Sequence, residues 1–388
     1  MTTDTRGFAF ETVPRILCED GGARQLGVIA RTLGVRHALV VTDRGLVLGG
    51  VVQEAIASLH TSGVACTVFA DVLGDPPESC IDDAAAMARA EQVDGVIGLG
   101  GGSSMDVAKL VAVLAANAYP ISSVYGVEKA TGRRLPLIQV PTTSGTGSEV
   151  TPIAIVTTPS GEKQGVVSRL LYADVAMLDA TLTVGLPSRL SAMTGIDAMV
   201  HAIEAYTTRH RKNIFSDTLA VRALQLLSAN LRRVLTHGHD LLARRAMLQG
   251  AMFAGMAFAN APVAAVHALA YPLGGRFRVP HGLSNALVLL PVLQFNLPVV
   301  RVQYAELLPA LGAAARTADG DATGEGFVLA IDALLTDMGL ERRLRDVGVA
   351  QSDLPMLATE AMAIQRLLVN NPREVTYDDA LAIYAQVL

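Results

Sequence analysis

The chain has 388 residues, 51% hydrophobic and 17% charged, with a mean hydropathy of +0.39. At roughly 100 to 200 residues per domain it should hold two domains with cores large enough to need no disulfide or zinc staple. Its 31 Lys and Arg against 36 Asp and Glu give a net charge of -5 without a long basic stripe, which argues against a nucleic-acid partner. No run approaches the roughly 18 consecutive apolar residues of a membrane span.

The apolar surplus fits a deep core plus a subunit interface, so a homodimer or larger homo-oligomer is expected. Cys18, Cys66 and Cys80 are odd in number and irregularly spaced. They read as small apolar fillers in a reducing cytoplasm, and the N-terminus lacks the plan of a signal peptide.

In chain order, the first half alternates short β-branched runs with helical patterns, the signature of βαβ units and a parallel sheet. Strands are expected at residues 37–42, 66–70, 95–99 and 137–140, and helices at 51–60, 81–90 and 104–116. After about Pro187 the pattern turns helical, with expected helices at 190–207, 216–235, 241–259 and 326–338. The reading is an α/β domain over 1–187 followed by an all-α domain over 188–388. Residues 313–326, small and polar without periodicity, read as a mobile surface loop.

Two turns carry chemistry. VDGVIGLGGGSSMDVAK passes from a strand through Gly100, Gly101 and Gly102 into a helix opened by Ser103 or Ser104. Glycines admit a ligand close to the backbone, and the helix N-terminus favours a phosphate. It is neither a Rossmann fingerprint nor a Walker loop. PTTSGTGSEV, with Thr142, Thr143 and Ser148, has the same construction after the next strand. Two such loops suit one extended dinucleotide; a plain βα turn is the alternative for either. Asp43 ends an earlier strand, where a carboxylate can bind the ribose hydroxyls of NAD and repel the extra phosphate of NADP, or simply cap a helix.

In GIDAMVHAIEAY, Asp197 and His201 stand at i and i+4 on one face of an apolar helix. An unpaired buried Asp is costly, so a cation is a natural partner. VHALAYPLGGRFRVPHG adds His267 and His281 on either side of an expected break at Pro272 to Gly275. Each histidine alone could be a satisfied core residue. Together, one carboxylate and three imidazoles suit Fe(II) or Zn(II) better than Mg or Ca. His237 and His239, in THGHD, read as exposed.

These motifs together resemble the iron-dependent, or group III, alcohol dehydrogenases. GLGGGSSMDVAK is similar to that family's cofactor loop, PTTSGTGSE to its second nucleotide turn, and GIDAMVHAIEAY and HALAYPLGGRFRVPHGLSNA to its metal segments. NNPREVTYDDALAIY resembles its last helix. The resemblance implies a dehydroquinate synthase-like architecture: a dinucleotide-binding α/β domain with a parallel sheet, a helical metal-binding domain, and the active site in the cleft between them. It further implies Asp197, His201, His267 and His281 as ligands of Fe(II), or alternatively Zn(II). Asp43, Gly100, Gly101, Gly102, Ser103, Asp106, Thr142, Thr143, Ser148, Lys163 and Leu182 would then surround NAD(H), with NADP(H) as the alternative. The implied reaction is hydride transfer between this cofactor and a small primary alcohol or aldehyde. A maleylacetate reductase or a polyol dehydrogenase on the same scaffold is the second reading, and a non-catalytic nucleotide binder the third.

One position departs from the family. Where a histidine assisting proton transfer usually stands, four residues after His267, this chain has Tyr271. A phenol can relay a proton, but its unperturbed pKa of ~10 suits neutral-pH acid-base work poorly. Met252, Phe253, Met256, Phe258 and Phe277 suggest an apolar lining for short to medium carbon chains.

Overall fold

The computed structural model describes residues 7–312 and 323–388. It divides into two compact units, Thr12–Gly185 and Leu186–Leu388, the latter joined by the described residues before Thr12. The sequence assigned those first residues to the α/β domain. They pack with the helical unit instead: Phe8 and Phe10 meet the Phe215 ring, and Asn260 exchanges two hydrogen bonds with the Glu11 backbone.

The α/β unit runs β1 (Ile16–Cys18), α1 (Leu26–Thr32), β2 (His37–Val41), α2 (Arg44–Leu48), α3 (Gln53–Thr61), β3 (Ala65–Phe69), α4 (Glu78–Ala90), β4 (Gly95–Gly100), α5 (Gly102–Leu114), β5 (Gly126–Val127), β6 (Leu137–Pro141), β7 (Ile153–Thr157), β8 (Lys163–Val167) and β9 (Val175–Leu178). Six strands pair in the order β1-β9-β6-β4-β2-β3, all parallel, with Leu39 beside Val96 and Ile97 beside Ile138. The apolar, β-branched character of β2, β4 and β6 follows from burial on both faces, as a sheet flanked by helices requires. From β2 the chain steps outward to β3 and then back to β4 on the other side of β2. That reversal opens a crevice beyond the carboxyl ends of β2 and β4, where open α/β sheets bind ligands.

The sequence did not foresee β1, β9 or the small sheet β5-β8-β7, in which β7 and β8 form an antiparallel hairpin. Nor was Asp174 expected to matter, yet it ties the starts of β6 and β9 together. Arg134 grips its carboxylate with two donors at 2.6 and 2.8 Å, and the Leu137 N–H adds a third at 2.8 Å. Burial alone would raise the Asp174 pKa; Arg134 and the backbone donors outweigh it and hold the carboxyl below its usual range. A carboxylate with a depressed folded-state pKa stabilises the fold fully above about pH 4 and loses that contribution as pH falls through the folded value. Asp174→Asn should therefore cost about 1–2 kcal/mol at pH 7, and the gap in urea midpoint from the parent should close progressively below pH 4. A gap independent of pH would remove the ion pair from the account.

The helical unit comprises α6 (Ser188–Thr207), α7 (Ile214–Thr236), α8 (Leu241–Asn260), α9 (Ala265–Phe277), α10 (His281–Leu307), α11 (Gly324–Asp337), α12 (Leu354–Ala363), α13 (Gln365–Leu368) and α14 (Tyr377–Gln386). Side-chain oxygens of Asn213, Asp240 and Thr323 cap the orphan N–H groups opening α7, α8 and α11. Helix α6 is buried almost all round from Gly195 onward, held by α7, α8 and α10.

The structure departs from one sequence expectation and from the end of a second. The break at Pro272 to Gly275 does not occur: α9 continues through Pro272 to Phe277, and Arg278 closes it in a left-handed conformation. The two glycines cost helix stability of about 1 kcal/mol each, but burial of α9 on several sides, through His267, Leu269 and Leu273, outweighs them. Of the loop expected over 313–326, residues 313–322 lie outside the described residues, and Gly324 onward is already α11.

Among the described residues, α10 with the turn after it is long and apolar enough to cross a membrane by length and composition, but 67% of the relevant window is buried inside the protein. It reads as a core helix. No disulfide joins the cysteines. Cys80 is buried and Cys66 half-buried, as small fillers would be, but Cys18 is exposed.

Candidate functional site

The three loops that follow β2, β4 and β6 lie at the carboxyl ends of adjacent strands. The turn after β4 enters α5 at Gly101 with no side chain capping the helix, so its first N–H groups are available to an anion. The loop after β6 lies against it: the Thr142 N–H donates to Gly100 O at 2.9 Å. A methyl group at Gly102 would stand 2.6 Å from Thr146 Cγ2, so only glycine permits the two loops this approach.

Asp43 is the N-cap of α2, its Oδ1 accepting from the Leu46 N–H at 3.0 Å. Asp106 and Ser148 turn their polar atoms on each other: Ser148 Oγ donates to Asp106 Oδ1 at 2.6 Å, and the Ile155 N–H donates to Asp106 Oδ2 at 3.0 Å. Lys109, which the sequence reading passed over, completes this brace. Fully buried, it donates to Ser148 Oγ, Thr151 Oγ1 and the Ile153 carbonyl at 2.7, 3.2 and 2.7 Å. Burial pushes its amine down to about 8, against the pull of Asp106 and Glu149. A lysine three residues after Asp106, on an apolar helix, was the available signal. Lys163 pairs with Asp75 at 2.6 Å, and Leu182 packs on the sheet core.

In the helical unit, α6 carries Asp197 and His201, α9 carries His267, and α10 opens with His281. Asp197, His267 and His281 bring one ligand atom each within 4.8 Å of one another. Measured from Asp197 Oδ1, the Nε2 atoms of His281, His267 and His201 lie at 3.5, 3.8 and 3.9 Å. Ligand atoms bound at ~2.1 Å in a tetrahedron sit ~3.4 Å apart, so Asp197, His267 and His281 fit one transition-metal ion with slight contraction; His201 approaches Asp197 but lies outside that group of three. Burial pushes the Asp197 carboxyl up, but the three imidazoles and Asn285 outweigh it and leave it low.

What holds these atoms in place is equally specific. Glu204, one further turn along the same face of α6, accepts from His267 Nδ1 at 2.6 Å and from the Val266 N–H at 2.7 Å. A carboxylate only accepts, so His267 carries a proton on Nδ1, and Nε2 is the nitrogen that turns toward Asp197. Asn285, four residues after His281, donates to Asp197 Oδ1 at 2.6 Å. A methyl group at Gly282 would lie 2.3 Å from the Met193 carbonyl oxygen, so glycine is what lets α10 begin against α6 and sets His281 beside Asp197.

The rings form a column. Phe258 stacks on His201 at 4.3 Å, His201 on His267 at 4.7 Å, and His281 and Tyr271 continue it at 5.4 and 6.0 Å. Glu204 and Asn285 were missed in the sequence, although spacings of seven from Asp197 and four from His281 marked both. Of the expected apolar lining, Met252 and Phe258 are buried and Phe277 half-buried. His237 and His239 are exposed, as expected.

The chain matches the family model described as iron-containing alcohol dehydrogenase over residues 14–180, and that of the Fe-containing alcohol dehydrogenase family, C-terminal, over 191–388. It is 39% identical to long-chain-alcohol dehydrogenase 1 of Geobacillus thermodenitrificans, over 94% of this chain and 92% of that protein. It is 36% identical to sulfoacetaldehyde reductase of Bilophila wadsworthia, over 97% of this chain and 98% of that one. A crystal structure of 1,3-propanediol oxidoreductase superposes with a TM-score of 0.93 at 32% identity, covering 99% of this chain and all of the other. With both halves matched in order, the chain belongs to the iron-containing alcohol dehydrogenase family.

Proposed function

We propose that the protein is a metal-dependent, NAD(H)-linked alcohol dehydrogenase that works as an aldehyde reductase on short to medium primary alcohols and aldehydes. The observation that carries this is the convergence of three imidazole nitrogens on one carboxylate oxygen, held by Glu204 and Asn285. In this reading Asp197, His201, His267 and His281 hold Fe(II), with Zn(II) as the alternative. When bound, the metal supplies Lewis-acid polarisation of the substrate oxygen and the nicotinamide supplies or takes up the hydride.

The chain's own residues do the rest. Glu204 fixes the His267 tautomer, and Asn285 orients Asp197. Phe258, covering His201, keeps water from that side of the ligand set. Gly100, Gly101, Gly102 and the first turn of α5, with Ser103, cradle the pyrophosphate; Thr142 and Thr143 border it, and Asp106, Ser148 and Lys109 brace the two loops. Lys163 and Leu182 stand as outer contributors to the same cofactor site. Tyr271 can hold a proton on its phenol oxygen beside His281, in place of the usual histidine.

The cofactor assignment makes a separable prediction. Asp43→Asn keeps a capping oxygen for α2 but removes the charge that repels a ribose phosphate. The ratio of kcat/KM with NADH to that with NADPH should fall about tenfold, the effect of ~1.4 kcal/mol. An unchanged ratio would take Asp43 out of the ribose site.

A homo-oligomeric, cytoplasmic protein is part of the same proposal. Exposed Phe8, Ile214 and Phe215 around the N-terminal segment support a subunit contact, which light scattering would check. The overall reading is tested by NADH oxidation with a panel of straight-chain aldehydes on anaerobically purified protein. Turnover across several chain lengths supports it, and NADH binding without turnover of any aldehyde would contradict it.

A further inference from the structure

We propose that Arg366 forms an anion-recognition arm beside the metal centre, so that the preferred substrate is an aldehyde or alcohol bearing an oxyanion group, such as a carboxylate, at its far end. The inference rests on the reductase reading above and names the substrate class of that same site.

Its foundation is the end of the ring column. The Arg366 guanidinium lies 5.7 Å from the centre of the Tyr271 ring, with Nη2 3.4 Å from the phenol oxygen, and the Tyr271 ring is 6.0 Å from that of His281. A guanidinium thus stands one aromatic ring away from a metal ligand. Its backbone is anchored: Leu367 and Leu368 are buried, and buried Asn370 bridges the Arg366 and Val263 carbonyls at 3.0 and 3.2 Å. The charged end is exposed and has no Asp or Glu partner among the described residues. The nearby carboxylate of Glu360 is already engaged by Arg276 of α9 at 2.7 Å.

Charge completes the argument. Three neutral imidazoles and one carboxylate leave a divalent centre with a net positive charge, and Arg366 places a second cation beside it. Two cationic poles separated by a single ring disfavour each other unless a ligand meets both. A molecule with a carbonyl oxygen at one end and an oxyanion at the other does so. The planar guanidinium fork suits a carboxylate in particular, with two parallel N–H donors, while the approach of Nη2 to the Tyr271 phenol oxygen at 3.4 Å steadies one side of it.

The test compares 4-oxobutanoate with butanal, matched in chain length, on the metal-loaded protein. The wild type should show kcat/KM at least tenfold higher for 4-oxobutanoate. In Arg366→Gln that ratio should fall at least tenfold, through KM for 4-oxobutanoate rather than kcat, and Arg366→Lys should restore part of it. Calorimetric titration of 4-hydroxybutanoate and of 1-butanol into the metal- and NADH-loaded protein gives a readout without turnover. The acid should bind at least tenfold more tightly, and R366Q should abolish the difference. Equal kcat/KM for the two aldehydes in the wild type, or a ratio that R366Q leaves unchanged, would overturn the arm while the reductase reading stands. Turnover of neither aldehyde would contradict the reductase reading itself. The calorimetric arm then decides the subsite: binding that depends on Arg366 supports it, and binding that R366Q leaves unchanged overturns it.

Discussion

A His267→Ala variant is expected to lose kcat/KM for aldehyde reduction by about 10^3-fold or more and to lose its metal in the same preparation. His267 Nε2 is one of three imidazole nitrogens around Asp197 Oδ1, at 3.8 Å, and its ring is the middle member of the stack between His201 and His281. Truncation removes the nitrogen proposed as a ligand, opens a gap in the ring column and leaves Glu204 buried with only the Val266 N–H to bind. A buried carboxylate deprived of its imidazole is itself destabilising. The loss of Lewis-acid stabilisation, worth several kcal/mol, accounts for the rate at about 1.4 kcal/mol per tenfold. Metal analysis and NADH oxidation on one sample read both effects, and a variant that kept its metal and its rate would remove His267 from the centre.

Glu204→Gln should have the second-largest effect, although Glu204 is not itself a ligand. The amide preserves volume and can still accept from the Val266 N–H, but it cannot accept from His267 Nδ1 with the strength of a carboxylate. Turned the other way, its NH2 group would donate to Nδ1 and move the imidazole proton to Nε2, where it would face Asp197. Metal affinity should fall about 10- to 100-fold, measured by competition with a chromophoric chelator. The loss should be accompanied by a matching loss of turnover at limiting metal that excess metal restores. Affinity equal to that of the parent would reduce Glu204 to a packing residue.

The sequence disclosed those parts of the molecule that depend on local pattern. The runs at β2, β4 and β6 are apolar on both faces and end in glycine or Thr-rich turns, so the parallel sheet and its two loops could be read directly. Asp197 and His201 were visible because a charge and an imidazole four residues apart on an apolar helix are conspicuous. What escaped depended on tertiary contact. The strands β1 and β9 are three and four residues long and carry no periodicity, while β8 begins with polar KQ and gains its place only by pairing with β5 and β7. Pro272 and two glycines indicated a break by local rules, and packing of the buried face of α9 overrode them. Asp106 and Ser148 were legible as candidate nucleotide contacts, but their bond to each other and the bond of buried Lys109 to Ser148 arise only from tertiary packing. Arg366 could not be placed at all, because its relation to Tyr271 arises only when α13 packs on α9.

The ligand set also explains how a departure at position 271 is accommodated. The histidine usual to the family would add another imidazole to the column, whereas Tyr271 extends it with a ring whose phenol oxygen meets an arginine. The exchange leaves the proposed ligands' supports in place, since Glu204 holds His267, Asn285 holds Asp197 and the close approach of Gly282 to Met193 sets His281.

The central claim is that Asp197, His201, His267 and His281 hold one catalytic ion, and chelation tests it most directly. Protein purified without oxygen should contain one Fe(II) or Zn(II) per chain. Removing that ion with a chelator should abolish NADH oxidation by aldehyde while leaving NADH binding intact, and adding back Fe(II) or Zn(II) should restore turnover in proportion to the ion bound. Full turnover from protein shown to be metal-free would contradict the account.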